Sequence, residues 1–309
     1  MDLLDTTLIG YTRIGYERRI DPDRTPLPRM DGRRVVLTGA TSGLGEAAAH
    51  RLSGLGADLV LVGRSREKLE RTRSAILAEK PSARVELEVA DLSLLAEIRA
   101  LAARLSSRAE PIHVLVNNAG VLINERRETK EGHEVTFATN LLGHYLLTEL
   151  LRSRLVASAP SRVINVSSGG MYSARIRVDD LETRALRYDG PSCYARTKRG
   201  QVILTELWAD ELRDRGVVVH SMHPGWADTP AVRESLPNFF RVTKPFLRTP
   251  AQGADTIVWL AAADEPSKTT GLFWHDRAPR PTHRSPLTRE SAEDRKALRE
   301  ALRRMAGVE

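Results

Sequence analysis

One cysteine, Cys193, serves the whole chain, so no intramolecular disulfide framework can form and a reducing compartment, the cytoplasm, is expected. A lone thiol beside Tyr194 suits a small buried space-filler. Aromatic residues make up only 5% of the sequence, too few for a base-stacking platform, so no nucleic-acid partner is expected. No apolar run approaches the roughly 18 residues of a membrane span. The opening MDLLDTTLIG carries acids where a secretory leader would carry bases, which argues against a signal peptide. His220, His223, His275 and His283 lack a regular ligand spacing, and no metal site is expected. Internal repeats and low-complexity tracts are also missing.

What remains is a 309-residue chain with 41% hydrophobic and 28% charged residues, the composition of a globular α/β protein. Its net charge of +7 is carried by arginines interleaved with acids, as in Glu125-Arg126-Arg127-Glu128, and reads as a solvated surface. Residues 1–30 form an N-terminal extension and linker. There Leu3, Leu4, Leu8, Ile9, Tyr11, Ile14 and Tyr16 fall on one side of an amphipathic helix, expected to dock on protein, with peripheral membrane contact as the other option. The link that follows is Pro-rich and cannot continue a helix.

From Arg34 onward, short apolar runs alternate with helical patterns. Arg34–Thr38, Asp58–Val62, Arg84–Val89, His113–Val116, Val163–Val166 and Val217–Val219 read as strands buried on both faces. Helical patterns between them predict a single Rossmann-type, doubly wound, mostly parallel sheet of about seven strands. After the first strand comes Gly39-Ala40-Thr41-Ser42-Gly43-Leu44-Gly45, followed directly by an Ala-rich helix. A glycine turn between strand and helix lets the backbone approach a dinucleotide pyrophosphate, which the helix N-terminus stabilises. At the end of the second strand, where a dinucleotide site reads the ribose, stand Gly63, Arg64 and Ser65, with no acid until Glu67. A guanidinium there suits a 2′-phosphate, so NADP(H) is favoured over NAD(H). Asp91 and Leu92 end the third strand, where Asp91 suits either an adenine contact or a helix cap. Asn117-Asn118-Ala119-Gly120 ends the fourth, and Asn140 lies inside an apolar helix, where its amide needs a partner.

Tyr194 and Lys198 are four residues apart on a predicted helix and share one face. A lysine ammonium beside a phenol lowers its pKa, making the pair a proton donor and acceptor for carbonyl–alcohol interconversion. Taken in order, Thr38-Gly39-x-x-x-Gly43-x-Gly45, Asn117-Asn118-Ala119-Gly120, Asn140, Ser168, Tyr194-x-x-x-Lys198 and Pro224-Gly225-x-x-x-Thr229 resemble the short-chain dehydrogenase/reductase family over about residues 31–275. The stretches SSGGM (Ser167–Met171), HPGWADTP (His223–Pro230) and AQGADTIVWLA (Ala251–Ala261) resemble one branch of it that is itself poorly defined in substrate.

The resemblance implies an oxidoreductase acting on a carbonyl or alcohol. It implies that Tyr194 is the general acid in reduction, that Ser168 (with Ser167 as fallback) bonds the substrate oxygen, and that Lys198 bonds the nicotinamide ribose. It further implies that Asn140 holds a relay water, that Asn118, Ala119, Gly120, Pro224 and Gly225 border the cofactor, and that Thr229 bonds its carboxamide. Family likeness also favours a dimer or tetramer. One departure is the gap from Ser168 to Tyr194, about twice that of many members. The segment near 170–190 is therefore expected as a lid over a lipophilic small-molecule substrate, and the segment near 229–250, with Leu236, Phe239, Phe240 and Phe246, as a second lid or as ordinary helix-to-core packing. Residues 276–309 form a C-terminal extension, where Ser291 and Asp294 predict a capped helix ending at Gly307. A non-catalytic dinucleotide sensor is the alternative, and the retention of all four residues Asn140, Ser168, Tyr194 and Lys198 counts against it.

Overall fold

The computed structural model describes residues 8–21 and 26–308; Leu3, Leu4 and part of the Pro-rich link lie outside the described residues. Its strands are β1 Arg34–Thr38, β2 Asp58–Gly63, β3 Val85–Val89, β4 Val114–Asn117, β5 Ser161–Val166, β6 Val217–Met222, β7 Phe273–His275 and β8 Ala278–Arg280. They form one sheet in the order β3-β2-β1-β4-β5-β6-β7-β8. The first seven run parallel, and β8 folds back antiparallel on β7. The expected sheet of about seven strands thus gains an eighth. The turn into it uses Asp276 and Arg277 at positive φ (50° and 55°), and a three-residue strand is too short to leave a period in the sequence.

All five side chains of β1 are buried, as a strand covered on both faces requires. Their alternation feeds two cores. Val36 joins Leu115, Val163, Leu141 and Ile203 on one side, while Leu37 joins Val116, Ile164, Leu52 and Ile257 on the other. Around the sheet lie α1 Arg13–Arg19, α2 Gly43–Gly54, α3 Arg66–Glu79 and α4 Leu95–Ser106. The long helix α5 is built from Val135–Phe137, a wide π turn at Ala138–Leu142, and Gly143–Ala157. Then come α6 Gly190–Leu212, α7 Pro230–Ser235, α8 Pro237–Thr243, α9 Pro250–Ala262 and α10 Ala292–Ala306. The predicted cap is present: Ser291 and Asp294 bond reciprocally at the start of α10, and Gly307 closes it in the left-handed region.

Strand order reverses between β1 and β4. Connections leave that point in opposite directions, so the sheet opens a crevice above the C-terminal ends of these strands. The N-terminal segment does dock on the domain: Tyr11 and Tyr16 are buried, whereas Leu8, Ile9 and Ile14 face outward. None of the described helices is long and apolar enough to cross a membrane.

Candidate active site

The crevice is a cleft of about 520 Å³. Its floor is the glycine turn, where Gly39, Thr41, Ser42, Gly43, Leu44 and Gly45 all line the space. A side chain at Gly45 has no room: a Cβ there would fall 2.1 Å from Gly39 O and 2.6 Å from Asn118 Nδ2. The turn is thereby held flat against β4, leaving its outer face open to a ligand. Arg64, Asp91 and Leu92 border one end; Asn118, Ala119, Gly120, Ser168, Tyr194, Lys198, Pro224, Gly225 and Thr229 border the other.

Several predicted residues lie close by without opening onto the cleft. Thr38 is buried and braces the floor: its hydroxyl donates to Val116 O (3.1 Å) and accepts from Asn118 N and Ala119 N (2.9 and 3.0 Å). Ser65 caps α3, its hydroxyl accepting from Lys68 N. Asn140 lies fully buried in the π turn, a feature frequent at functional sites. Its Oδ1 accepts from Val121 N (2.8 Å), and its Nδ2 donates to Val121 O and Thr197 Oγ1. It therefore fixes the loop after Gly120 against α6. Asp91 does not cap α4, whose N-cap position is Leu94; its Oδ1 holds the turn through Ser93 N and Oγ, while Oδ2 stands 3.9 Å from Arg64.

At the catalytic end, the two serines have separate partners. Ser167 donates to Lys198 O (2.9 Å) and so holds α6 to β5. The Ser168 oxygen accepts from Gly170 N (3.1 Å), and its hydroxyl acts on Tyr194 to lower the phenol pKa against the effect of burial. Lys198 donates to Val166 O (2.8 Å) and stands 5.4 Å from the centre of the Tyr194 ring. Burial pushes Lys198 down to about 7 and Tyr194 up to about 12, the Ser168 hydroxyl offsetting part of the latter. The expected lowering of the tyrosine by the lysine is therefore absent from the protein alone. Desolvation disfavours the charged form of both groups, and it outweighs their mutual effect.

A buried polar chain beneath the site was not foreseen. Asn117 Nδ2 donates to Thr148 Oγ1 and Asn165 Oδ1, and Asn165 Nδ2 donates to Thr205 Oγ1. Gln201 then bonds the Asn140 carbonyl and His144, which burial holds neutral at about 3. Its signal was available: one asparagine within each of the apolar runs Val114–Asn117 and Val163–Val166, set opposite each other in register.

Over the cleft, Ala231, Val232, Leu236 and Phe239 face inward. Ser235 ties this segment to the opposite rim, its hydroxyl donating to Leu122 O and its carbonyl accepting from Asn124 Nδ2. In the other expected lid, Met171 and Ile176 turn into the protein core, and only Gly170 and Ser173 reach the cleft. Cys193 is buried against Thr183. Among the described residues, no three His, Cys, Asp or Glu side chains gather as a metal site.

The model of the short chain dehydrogenase family matches residues 33–180. Dehydrogenase/reductase SDR family member 12 of Bos taurus is 39% identical over 91% of this chain and 89% of its own length. The chain belongs to the short-chain dehydrogenase/reductase family. It resembles the member 12 branch of these oxidoreductases. Retinol dehydrogenase 12 of Mus musculus is 35% identical over 80% of this chain and 79% of its own. A crystal structure of an uncharacterized protein from Mycobacterium paratuberculosis superposes with a TM-score of 0.73 at 27% identity, covering 92% of this chain and 97% of that one. Enzymes of the family use a nicotinamide dinucleotide, and the residues lining this cleft fit one. The open glycine turn suits a pyrophosphate, with Arg64 and Asp91 at one end of the cleft and Ser168, Tyr194 and Lys198 at the other.

Proposed function

We propose that this protein is an NADP(H)-dependent oxidoreductase that interconverts a carbonyl and an alcohol on a lipophilic small molecule, with Tyr194 as the general acid and base. The observation that carries the reading is the grouping of buried Lys198 with half-buried Ser168 and Tyr194 at one end of a cleft floored by a glycine turn. The bound dinucleotide supplies or accepts the hydride. Ser168, which lines the same end of the cleft as Tyr194, directs the substrate oxygen toward the phenol. In reduction Tyr194 delivers a proton to that oxygen; in oxidation it removes one. Lys198 holds a mobile proton, since burial has brought it to about 7, and its charge favours the deprotonated tyrosine whenever it is present.

Arg64 supports the choice of NADP(H). It borders the cleft, is largely exposed, and has only a loose approach to Asp91 at 3.9 Å, so its guanidinium is available to a 2′-phosphate. An apolar substrate is supported by Trp226, Leu236 and Phe239, with Trp226 and Phe239 packed edge to face at 5.1 Å. The segment near 229–250 acts as the substrate lid, while the segment near 170–190 contributes only Gly170 and Ser173 to the wall. The testing experiment is a panel of lipophilic ketones, aldehydes and alcohols with NADPH or NADP⁺, run on the wild type and Tyr194→Phe. Turnover by the wild type alone is the expected result; equal turnover by both would remove Tyr194 from the mechanism. Tight NADPH binding with no turnover across the panel would favour a dinucleotide sensor instead.

A further inference from the structure

The N-terminal segment has no part in the chemistry above, yet it lies against both loops that carry it. Tyr11 O accepts from Trp226 N (2.8 Å), directly after Gly225. The Tyr11 ring stands edge-on to His223 (4.8 Å between centres) and to His275 (5.5 Å), with the Arg284 guanidinium 5.4 Å over it. A methyl group placed on Gly169, the residue after Ser168, would lie 3.7 Å from the tip carbon of that ring. Tyr11 therefore reaches the Ser168 turn with its ring and the Pro224–Trp226 loop with its backbone.

Arg248 completes the connection from behind. It is 1% exposed and donates to Gly10 O (2.8 Å), Thr12 O (3.2 Å) and Pro224 O (3.2 Å). Asp276 neutralises it through two bonds of 2.5 and 2.9 Å, and Arg19 of α1 reaches the same carboxylate. The Arg248 backbone also pairs with Trp226 O and Asp228 N. Gly225 is clamped between these parts, since a Cβ there would fall 2.4 Å from Arg248 Nε and 2.8 Å from Tyr11 O. Burying a guanidinium is costly unless it is fully paired. Here its pairing is shared between the domain and the N-terminal segment, so the loop's position depends on both.

We propose that Leu8–Arg19 is a strap that completes the catalytic end of the cleft. It sets the gap between the Ser168 turn and the Pro224–Gly225 loop, with Tyr11 and Arg248 as positioning residues. This rests on the dinucleotide reading of the cleft, and the test separates the two. Calorimetry on the full chain compares NADPH with 2′-phospho-ADP-ribose, which has the adenosine half and lacks the nicotinamide. Wild type should bind both. Tyr11→Ala should weaken NADPH by about tenfold and lower turnover, while 2′-phospho-ADP-ribose stays within about twofold, because only one wall of a preorganised site has moved. Tyr11→Phe should restore both readouts, and Tyr11→Leu serves as the second variant if the alanine protein fails to fold. Unchanged NADPH binding in the alanine or leucine variant would overturn the strap. An equal loss for both ligands would also overturn it, by showing a general effect on the fold. Binding of neither ligand by wild type would sink the dinucleotide reading and the strap with it.

Discussion

The two ends of the cleft are built on opposite physical terms. At the adenosine end, one exposed arginine, Arg64, faces solvent and depends on charge alone. At the Tyr194 end, Lys198 is buried and Tyr194 half-buried, and their pKa values are displaced in opposite directions, to about 7 and about 12. An exposed cation recognises cheaply but is screened by salt. Groups sunk in the fold are poised for proton transfer and burden the folded state. Under the proposed function, recognition and chemistry are separated along one groove, and substitutions at the two ends should fail in different ways.

The strongest contrast is expected from Tyr194→Phe. Turnover should fall by about 10²–10⁴-fold, the usual worth of a general acid, while NADPH binding followed by fluorescence should be nearly unchanged. Loss of binding in parallel would mean that the two ends are not independent. Next, Arg64→Ala should weaken NADPH by about 1.5–3 kcal/mol and leave NADH little affected. If wild type already prefers NADH, the assignment of Arg64 fails.

Alternation of strands and helices, the glycine turn and the Tyr194–Lys198 spacing on one helix were legible because each is a local pattern with a fixed period or sequence. What escaped was set by tertiary context. Burial of Tyr194 and Lys198 reverses the naive expectation for their pKa values, and residue spacing carries no dielectric information. Ser65 and Thr38 are spent on a cap and a brace, because nearby backbone donors compete for a short hydroxyl. Met171 and Ile176 looked like lid residues in a long insertion, yet an apolar side chain gains as much from the core as from a pocket wall.

The catalytic end also predicts a pH signature. Lys198 has a folded pKa near 7 against an ordinary 10.5, so the unfolded chain holds a proton that the folded one releases. The resulting destabilisation is full below about pH 7 and disappears as pH rises toward the unfolded value. Lys198→Met should therefore raise the melting temperature by several degrees near pH 6, and the gain should shrink steadily by about pH 9. A gain independent of pH would show that lysine charging is not its source. Smallest of all should be the effect of Ser167→Ala on catalysis. Its hydroxyl bonds the Lys198 carbonyl, so removing it should cost about 1 kcal/mol of stability in denaturant titration. Turnover should change far less than in Ser168→Ala; the reverse ranking would exchange the roles of the two serines.

The hairpin return of β8 has a consequence for solubility and assembly. Trp274 turns its carbonyl toward His223 N, on the β6 side, so its neighbour across the hairpin, Pro279, points a nitrogen without a proton outward. The strand is three residues long and followed by another proline, Pro281. At the opposite margin, β3 carries Glu86 and Glu88, tied by Arg34, Arg104 and Arg108. A three-residue strand ending in a blocked donor, and a strand bordered by paired charges, are both poor templates for a foreign strand. Copies of this chain are thereby steered away from joining sheet edge to sheet edge.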